Sequence, residues 1–266
     1  MSGKKGWKLA AQLYTVRDYT KTRRDLQETL KKVAAIGYPA VQFSAVGCMA
    51  GESPEVSAVE ARKMLDDLGL RCIATHRAWT DLLKKTASEI EFHKTLGCDY
   101  AAIGGIPNEY GHTPEGYRRW LREARPVIAA FKAAGIRFGH HNHSREFMRF
   151  PDDPRGNLEN ILIEEGGPDL MLELDLYWIE HAGLHAERVV ERCPGRVPVI
   201  HLKDKEVIAE GPVMAPIGEG NMDWPHIIPV CEKAGVRWYC VEQDTCRRDP
   251  FDCLRSSFDY LAGFGL

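Results

Sequence analysis

The sequence has no run approaching the roughly 18 consecutive apolar residues that a membrane helix needs, so no helical membrane span is expected. Its eight cysteines (Cys48, Cys72, Cys98, Cys193, Cys231, Cys240, Cys246 and Cys253) include no Cys-x-x-Cys pair. A zinc ribbon or a dithiol redox motif therefore has no support. Thiols lying in apolar runs read as reduced and mostly buried, the usage of a cytoplasmic protein. An excess of one charge is also lacking: 35 Lys and Arg against 38 Asp and Glu leave a net charge of -3. Neither nucleic acid nor an anionic membrane surface is an expected partner. The first ten residues, MSGKKGWKLA, carry lysines with no apolar core behind them, so they do not read as a signal peptide. No linker or low-complexity tract divides the chain.

A repeated grammar is present instead: amphipathic helix, glycine, apolar strand, polar residue. Tyr117, Leu121, Ala124, Ile128 and Phe131 are spaced as one helix face. Gly135 follows as a helix stop, and 136–139 reads as a short buried strand. Leu26, Leu30, Val33 and Ala34 precede Gly37 and a strand at 40–43. Similar units end at Gly69 with strand 70–74, Gly97 with 100–103, and Gly235 with 236–241. Gly167 and Gly195 introduce strands at 170–174 and 197–200. With 8–14 in front, eight strands result. The seven glycines are 28 to 40 residues apart, the length of a βα unit.

Eight such units predict an α/β fold, a closed (β/α)₈ TIM barrel forming one domain over 1–266. An open doubly wound sheet would normally carry a glycine-rich phosphate loop after its first strand. The segment Gln12-Leu-Tyr-Thr-Val-Arg-Asp18 contains no glycine.

Six to eight residues beyond the seven glycines stand Ser44, His76, Gly104, His141, Asp175, His201 and Glu242. These are predicted C-terminal strand ends, where barrel enzymes build their active sites. A lone strand-end Asp is commonly a helix cap, and a lone His a satisfied polar group. Here His141, Asp175, His201 and Glu242 fall at equivalent places on strands five to eight, and together they form a candidate metal site. Two imidazoles and two carboxylates suit one divalent ion, Mn²⁺, Zn²⁺, Co²⁺ or Fe²⁺, better than Mg²⁺, which prefers all-oxygen shells.

Within His140-His-Asn-His-Ser-Arg-Glu146, strand alternation puts His141 and His143 on one face and His140 on the other. His141 is taken as the ligand, His143 as a substrate-orienting group and His140 as structural. Glu173 stands two residues before Asp175, on its face but deeper, as a partner behind the ligands. Lys203 offers a cation for a carbonyl or hydroxyl, or a solvated loop lysine. Trp178 offers a face for a sugar ring, or core packing.

His141-Asn-His, Leu174-Asp-Leu-Tyr-Trp178, His201-Leu-Lys-Asp204, Ile217-Gly-Glu-Gly220 with Asp223-Trp224, and Val241-Glu-Gln-Asp244 resemble the sugar phosphate isomerase/epimerase family. This is the xylose-isomerase-like barrel superfamily, which also contains endonuclease IV. Gln12-Leu-Tyr-Thr-Val-Arg17 and Ser257-Phe-Asp-Tyr-Leu261 carry the likeness to both ends. The resemblance implies metal ligation by Asp175, His201 and Glu242. It also marks a departure: ketose 3-epimerases carry a glutamate at the end of strand five, paired across the substrate with the one matching Glu242. Here that place holds His141.

With one base missing, the resemblance implies aldose–ketose isomerisation or β-elimination beside a carbonyl, with ketose epimerisation as the alternative. Glu242 or Glu146 is the expected base, and Glu146 supplies a second carboxylate if its loop turns inward. Lys203 assists proton return, while Gln12, His76 and Arg17 bind hydroxyls or a phosphate. The expected partner is a small sugar or polyol, and a homo-oligomer is allowed. An endonuclease would need more metal ligands and a basic face. A non-enzymatic barrel would be expected to lack one or more of the four ligands.

Overall fold

The computed structural model describes residues 7–266; residues 1–6, most of the start weighed above as a leader, lie outside the described residues. The strands in chain order are β1 Leu9–Gln12, β2 Ala40–Phe43, β3 Arg71–His76, β4 Tyr100–Ile103 and β5 Arg137–His141. There follow β6 Leu170–Glu173, β7 Val199–Leu202, β8 Asp204–Ile208, β9 Gly211–Ala215 and β10 Trp238–Val241. The helices are α1 Arg23–Ile36, α2 Ala58–Asp67, α3 Trp79–Lys84, α4 Thr86–Leu96 and α5 Pro114–Ala133. They continue with α6 Leu158–Glu165, α7 Leu176–His181, α8 Ala186–Glu191, α9 Trp224–Lys233 and α10 Pro250–Ala262.

Eight strands pair in the order β6-β5-β4-β3-β2-β1-β10-β7, all in parallel, as a nearly closed barrel. The β6–β7 seam is bridged by two of the expected site residues. The His201 N–H donates to the Leu174 carbonyl at 2.8 Å, and Asp175 forms a parallel bridge with His201. The remaining pair, β8 and β9, is an antiparallel hairpin outside the barrel.

Local chemistry explains the elements. Thr22 and Asp25 form a reciprocal capping box at the start of α1, and its stripe Leu26, Leu30 and Val33 is fully buried. All seven glycines flagged in the repeat lie at positive φ. Gly97, in the left-handed region, closes α4 by donating its N–H to the Lys94 carbonyl.

The apolar interior is divided by the barrel wall. One part lies between strands and helices and includes Leu26, Trp120, Phe131 and Trp224. The other fills the barrel floor with Ala10, Ala40, Ile73, Tyr100, Val199 and Cys240. Tyr100 plugs the floor because residue 139 is glycine: a Cβ there would lie 2.0 Å from the tyrosine hydroxyl. This is a packed barrel, not a pore.

Four local expectations are corrected. Strand five reaches His141 instead of stopping at 139. The first strand ends at Gln12, where a 3-10 turn over Leu13–Tyr19 begins. The single helix expected before Gly97 is two, broken at Lys85. The hairpin after strand seven gave no repeat signal, being an insertion into one unit. All eight cysteines are free, seven buried and Cys246 half-buried.

Candidate active site

Strand alternation delivers a layer of polar side chains directly above the apolar floor. Gln12, Gln42, His141, Glu173, Asp175, His201, Lys203 and Glu242 are all buried, and His76 is nearly so. The four expected ligands come together: one nitrogen each from His141 and His201 and one oxygen each from Asp175 and Glu242 lie within 4.8 Å of one another. His141 Nε2 is 3.7 Å from Asp175 Oδ2, and His201 Nδ1 is 2.8 Å from Glu242 Oε2.

Glu173 lies beneath them. Its Oε2 is contacted by His76 Nε2, by His201 Nε2 at 3.4 Å and by His141 Nδ1 at 3.6 Å. The two ligand-type imidazoles therefore present one nitrogen upward and the other to Glu173. Gln42 links the layers, its Nε2 donating to Glu173 Oε1 at 3.0 Å and its Oε1 meeting His201 Nε2 at 2.8 Å. The sequence reading missed Gln42; the available signal was a glutamine amid the apolar residues of 40–43.

Lys203 is only 1% exposed, which excludes the solvated-loop reading. Its ammonium lies 3.0 Å from Asp175, 2.9 Å from Glu242 and 2.8 Å from Asp244. Asp244 was the last residue of a quoted motif but had been given no role. Asp204, next to Lys203, is a structural hub. It accepts from the N–H groups of Lys205, Gly218, Gly220 and Met222 and from Trp224 Nε1. A Cβ at residue 220 would lie 2.2 Å from Asp204 Oδ1, so the Ile217–Gly220 motif serves packing of this loop.

The charges compensate one another. Burial opposes ionisation of Glu173, but His76 and His201 outweigh it and hold that carboxyl at about 2. Burial likewise opposes charge on His201, yet Glu173 and Glu242 raise it to about 10. Glu242 is held below the ordinary carboxylate range by Lys203 and His201 despite burial. Asp175 is pushed up to about 6, chiefly by burial. His141 is driven well below the usual imidazole range by burial and by the charge of His201, so it is neutral. Burial and Lys203 lower His143 to about 3.

A cavity of about 340 Å³ opens over this layer, within the range of small-molecule sites. Its walls include Tyr14, Ser44 and Gly104, and its chemistry comes from His76, His141, His143, Lys203, Glu242 and Asp244. Trp178 is not part of the lining but packs beside it, 5.6 Å from the His143 ring and 5.7 Å from the Lys203 ammonium. Asp175 also caps α7, accepting from the Trp178 N–H at 3.2 Å, so the cap and the site role coexist.

Asp175 and His201 are fully buried and do not line the cavity, nor does Trp178, and three further expected residues lie away from it. Glu146 is fully buried on the far side of the strand-five turn, bound to the Tyr117 hydroxyl and the His143 N–H, both at 2.8 Å. It caps its own turn, so the inward loop that would make it a second base is not formed. Arg17 is spent on the backbone carbonyls of Tyr14 and Asp244. Gln12 is buried beside Gln42 in the barrel wall, its Nε2 without a hydrogen-bond partner.

The donor set fits a divalent cation. Two nitrogens and two oxygens converge, and Asp175 Oδ2, which faces His141 Nε2, has no hydrogen-bond partner. The surrounding charges, four carboxylates against Lys203 and His201, leave an uncompensated negative excess suited to a cation.

Comparison with known proteins locates the fold. The family described as xylose isomerase-like TIM barrel matches residues 30–262. A sugar phosphate isomerase/epimerase from Parabacteroides distasonis ATCC 8503 superposes with a TM-score of 0.80 at 23% identity, covering 97% of this chain and 94% of that one. An L-ribulose 3-epimerase gives 0.73 at 15% identity over 98% and 94%. A probable 3-DHS dehydratase from Bacillus anthracis gives 0.71 at 13% identity over 96% and 98%. No curated protein matches significantly in sequence.

Proposed function

The chain belongs to the xylose isomerase-like TIM barrel family, and from that premise we propose a divalent-metal-dependent isomerase or lyase. Its substrate is a sugar, sugar phosphate or keto-polyol, and its reaction is proton abstraction next to a carbonyl. The observation that carries this reading is the convergence of His141, Asp175, His201 and Glu242 at the barrel mouth. These four side chains hold the ion, Mn²⁺, Zn²⁺ or Co²⁺ by donor type. When bound, such an ion supplies Lewis-acid polarisation of a carbonyl oxygen.

The chain's own groups divide the remaining work. Glu242, kept ionised by Lys203 and His201, accepts the proton at a carboxylate oxygen. Lys203 stays protonated among its three carboxylates, so it acts as a hydrogen-bond donor to developing negative charge and not as a base. His143, neutral through burial and Lys203, and His76 orient hydroxyls, and Trp178 offers a ring face beside His143. Two-base inversion is disfavoured because His141 stands where a second carboxylate is needed and Glu146 faces away. The reading treats 1–266 as one cytoplasmic barrel domain.

The test is metal titration followed by solvent-deuterium wash-in on a panel of polyols and keto-sugars. Metal-dependent wash-in supports the proposal, whereas a protein that binds no divalent ion overturns it. Rapid metal-dependent epimerisation of a ketose would move the reading to the epimerase class.

A further inference from the structure

A second cavity, of about 250 Å³, opens beside the first and shares two of its walls, Ser44 and His76. Past that junction the lining changes character. Phe43, Ala45, Val46, Met49, Ala50 and Phe92 form most of it. The one charged residue there, Arg77, is committed elsewhere. Its guanidinium makes hydrogen bonds of 2.7 and 2.6 Å to Glu89 and covers the Phe92 ring at 4.4 Å.

The wall carrying Val46 and Met49 is fixed in place. The Cys48 N–H donates to the Thr20 carbonyl at 2.9 Å, and the Gly47 N–H reaches Thr20 Oγ1 at 3.4 Å. Between them and β2, Ala45 is held at φ 53, the only non-glycine residue at positive φ among the described residues. A residue with a Cβ keeps that conformation only when its surroundings over-determine it, a condition that recurs at ligand clamps.

From this geometry we infer that the natural substrate carries an apolar, ring-sized substituent, which enters the second cavity while its sugar part occupies the first. The inference rests on the sugar-enzyme reading for the occupant of the first cavity. Size and chemistry select the substituent. A dry apolar cavity of roughly 150 Å³ accepts a benzene ring, so this one has room for a ring and its linking atom. A second sugar unit would leave hydroxyls unpartnered against Phe43, Val46 and Met49. A phosphate would find Arg77 already paired. At the junction, Ser44 Oγ and His76 Nδ1 lie 3.4 Å apart, placed to meet a polar linking atom between the two parts.

The experiment uses metal-loaded full-length protein and ¹⁹F NMR, with 4-fluorophenol as a probe of the ring alone. A matched pair, 4-fluorophenyl and methyl β-D-glucopyranoside, probes the linked form by titration calorimetry. Saturable millimolar binding of 4-fluorophenol is expected, as is a preference of about 10-fold or more for the aryl glycoside over the methyl one. Ala50→Trp, at an exposed rim position of this cavity, fills it. The variant should bind 4-fluorophenol about 10-fold more weakly and lose the aryl preference. Phe92→Ala removes one wall and should weaken ring binding too, with thermal melts confirming that both variants fold. No saturable binding of the ring by the unmodified protein, or equal binding by Ala50→Trp, overturns the inference. Metal affinity measured on the same samples separates the two readings: failure to bind metal with ring binding intact removes the proposed chemistry and leaves the apolar subsite standing.

Discussion

His140 and His141 are adjacent in the chain and opposite in circumstance. His141 points into the barrel, among His76, His143, His201 and two carboxylates. His140 points outward against Trp120, with neither ring nitrogen hydrogen-bonded. The same division runs through the whole wall. Inside, buried charges survive because Lys203 and His201 stand against Glu173, Asp175 and Glu242. Outside, buried groups without a partner give up their charge: His140 falls to about 3 and Glu159 rises to about 8, in each case chiefly through burial. A low-dielectric interior tolerates ions only as a mutually compensated set. The inside is such a set but for a remaining negative excess, and that excess is why it is the place for a cation.

The sharpest way to break this contrast is to remove an inside member. His201→Ala should weaken metal binding by ~100-fold or more and abolish turnover. A strand-end histidine in an open barrel mouth would cost little stability to remove. The structure instead buries it completely between Gln42, Glu173 and Glu242. The metal-free variant should therefore also lose ~3–5 kcal/mol of stability, since buried carboxylates lose their counter-charge. Titration calorimetry and denaturant unfolding give the two numbers. Normal metal occupancy and turnover in the variant would remove His201 from the site.

Glu242→Gln separates ligand from base. The amide oxygen still ligates weakly but accepts no proton at neutral pH. Deuterium exchange should fall by ~10²–10⁴-fold with metal still bound. Full exchange at saturating metal would assign the base elsewhere. Lys203→Met then probes compensation itself. It leaves Asp175, Glu242 and Asp244 facing one another, and ~3–5 kcal/mol of stability should be lost without metal. Much of that loss should return on adding metal, which supplies the missing positive charge. A metal-free melting temperature equal to the parent's would show that the three carboxylates do not depend on the ammonium.

On the outside the expected signs reverse. Glu159 is 1% exposed, and neither of its oxygens has a hydrogen-bond partner. Its folded pKa of about 8 lies above the ordinary 4.5, through burial first and the charge of Glu146 second. The folded state thus binds more protons than the unfolded state between those values. Stability from this group is fully present below about pH 4.5 and is lost as pH rises through about 8. Glu159→Gln should be nearly neutral near pH 5. Its advantage should then grow by up to ~1.4 kcal/mol per pH unit towards pH 8, as an upper bound. Urea unfolding across that range checks it, and an advantage that shrinks with pH would reverse the assignment.

The barrel was legible because glycine after an amphipathic helix marks each unit, and the four ligand-type residues were legible because they recur at one place in it. The hairpin β8–β9 was not, being unique to one unit. The supporting contacts were harder still. Strand alternation placed Glu173 behind the ligands, but Gln42 sits in that same lower layer, and its importance comes from cross-barrel contacts that link residues more than a hundred positions apart. Glu146 was misjudged because its direction depends on a three-residue turn that closes on its own carboxylate.

The smallest expected effect is the one that sharpens the contrast most economically. His140→Leu replaces a buried, unpartnered imidazole with an apolar side chain against Trp120. An unsatisfied buried polar group costs free energy, and replacing it with an apolar one of similar bulk is neutral or favourable. The variant should change stability by no more than ~1 kcal/mol at pH 7, in the stabilising direction. Because burial already holds His140 neutral there, no charge is lost with it. Metal affinity should stay within about twofold of the parent, since the ring lies across the strand from the site. A tenfold loss of metal affinity would mean that the outer face of β5 controls the inner one, and the wall would then no longer separate a working interior from a merely packed exterior.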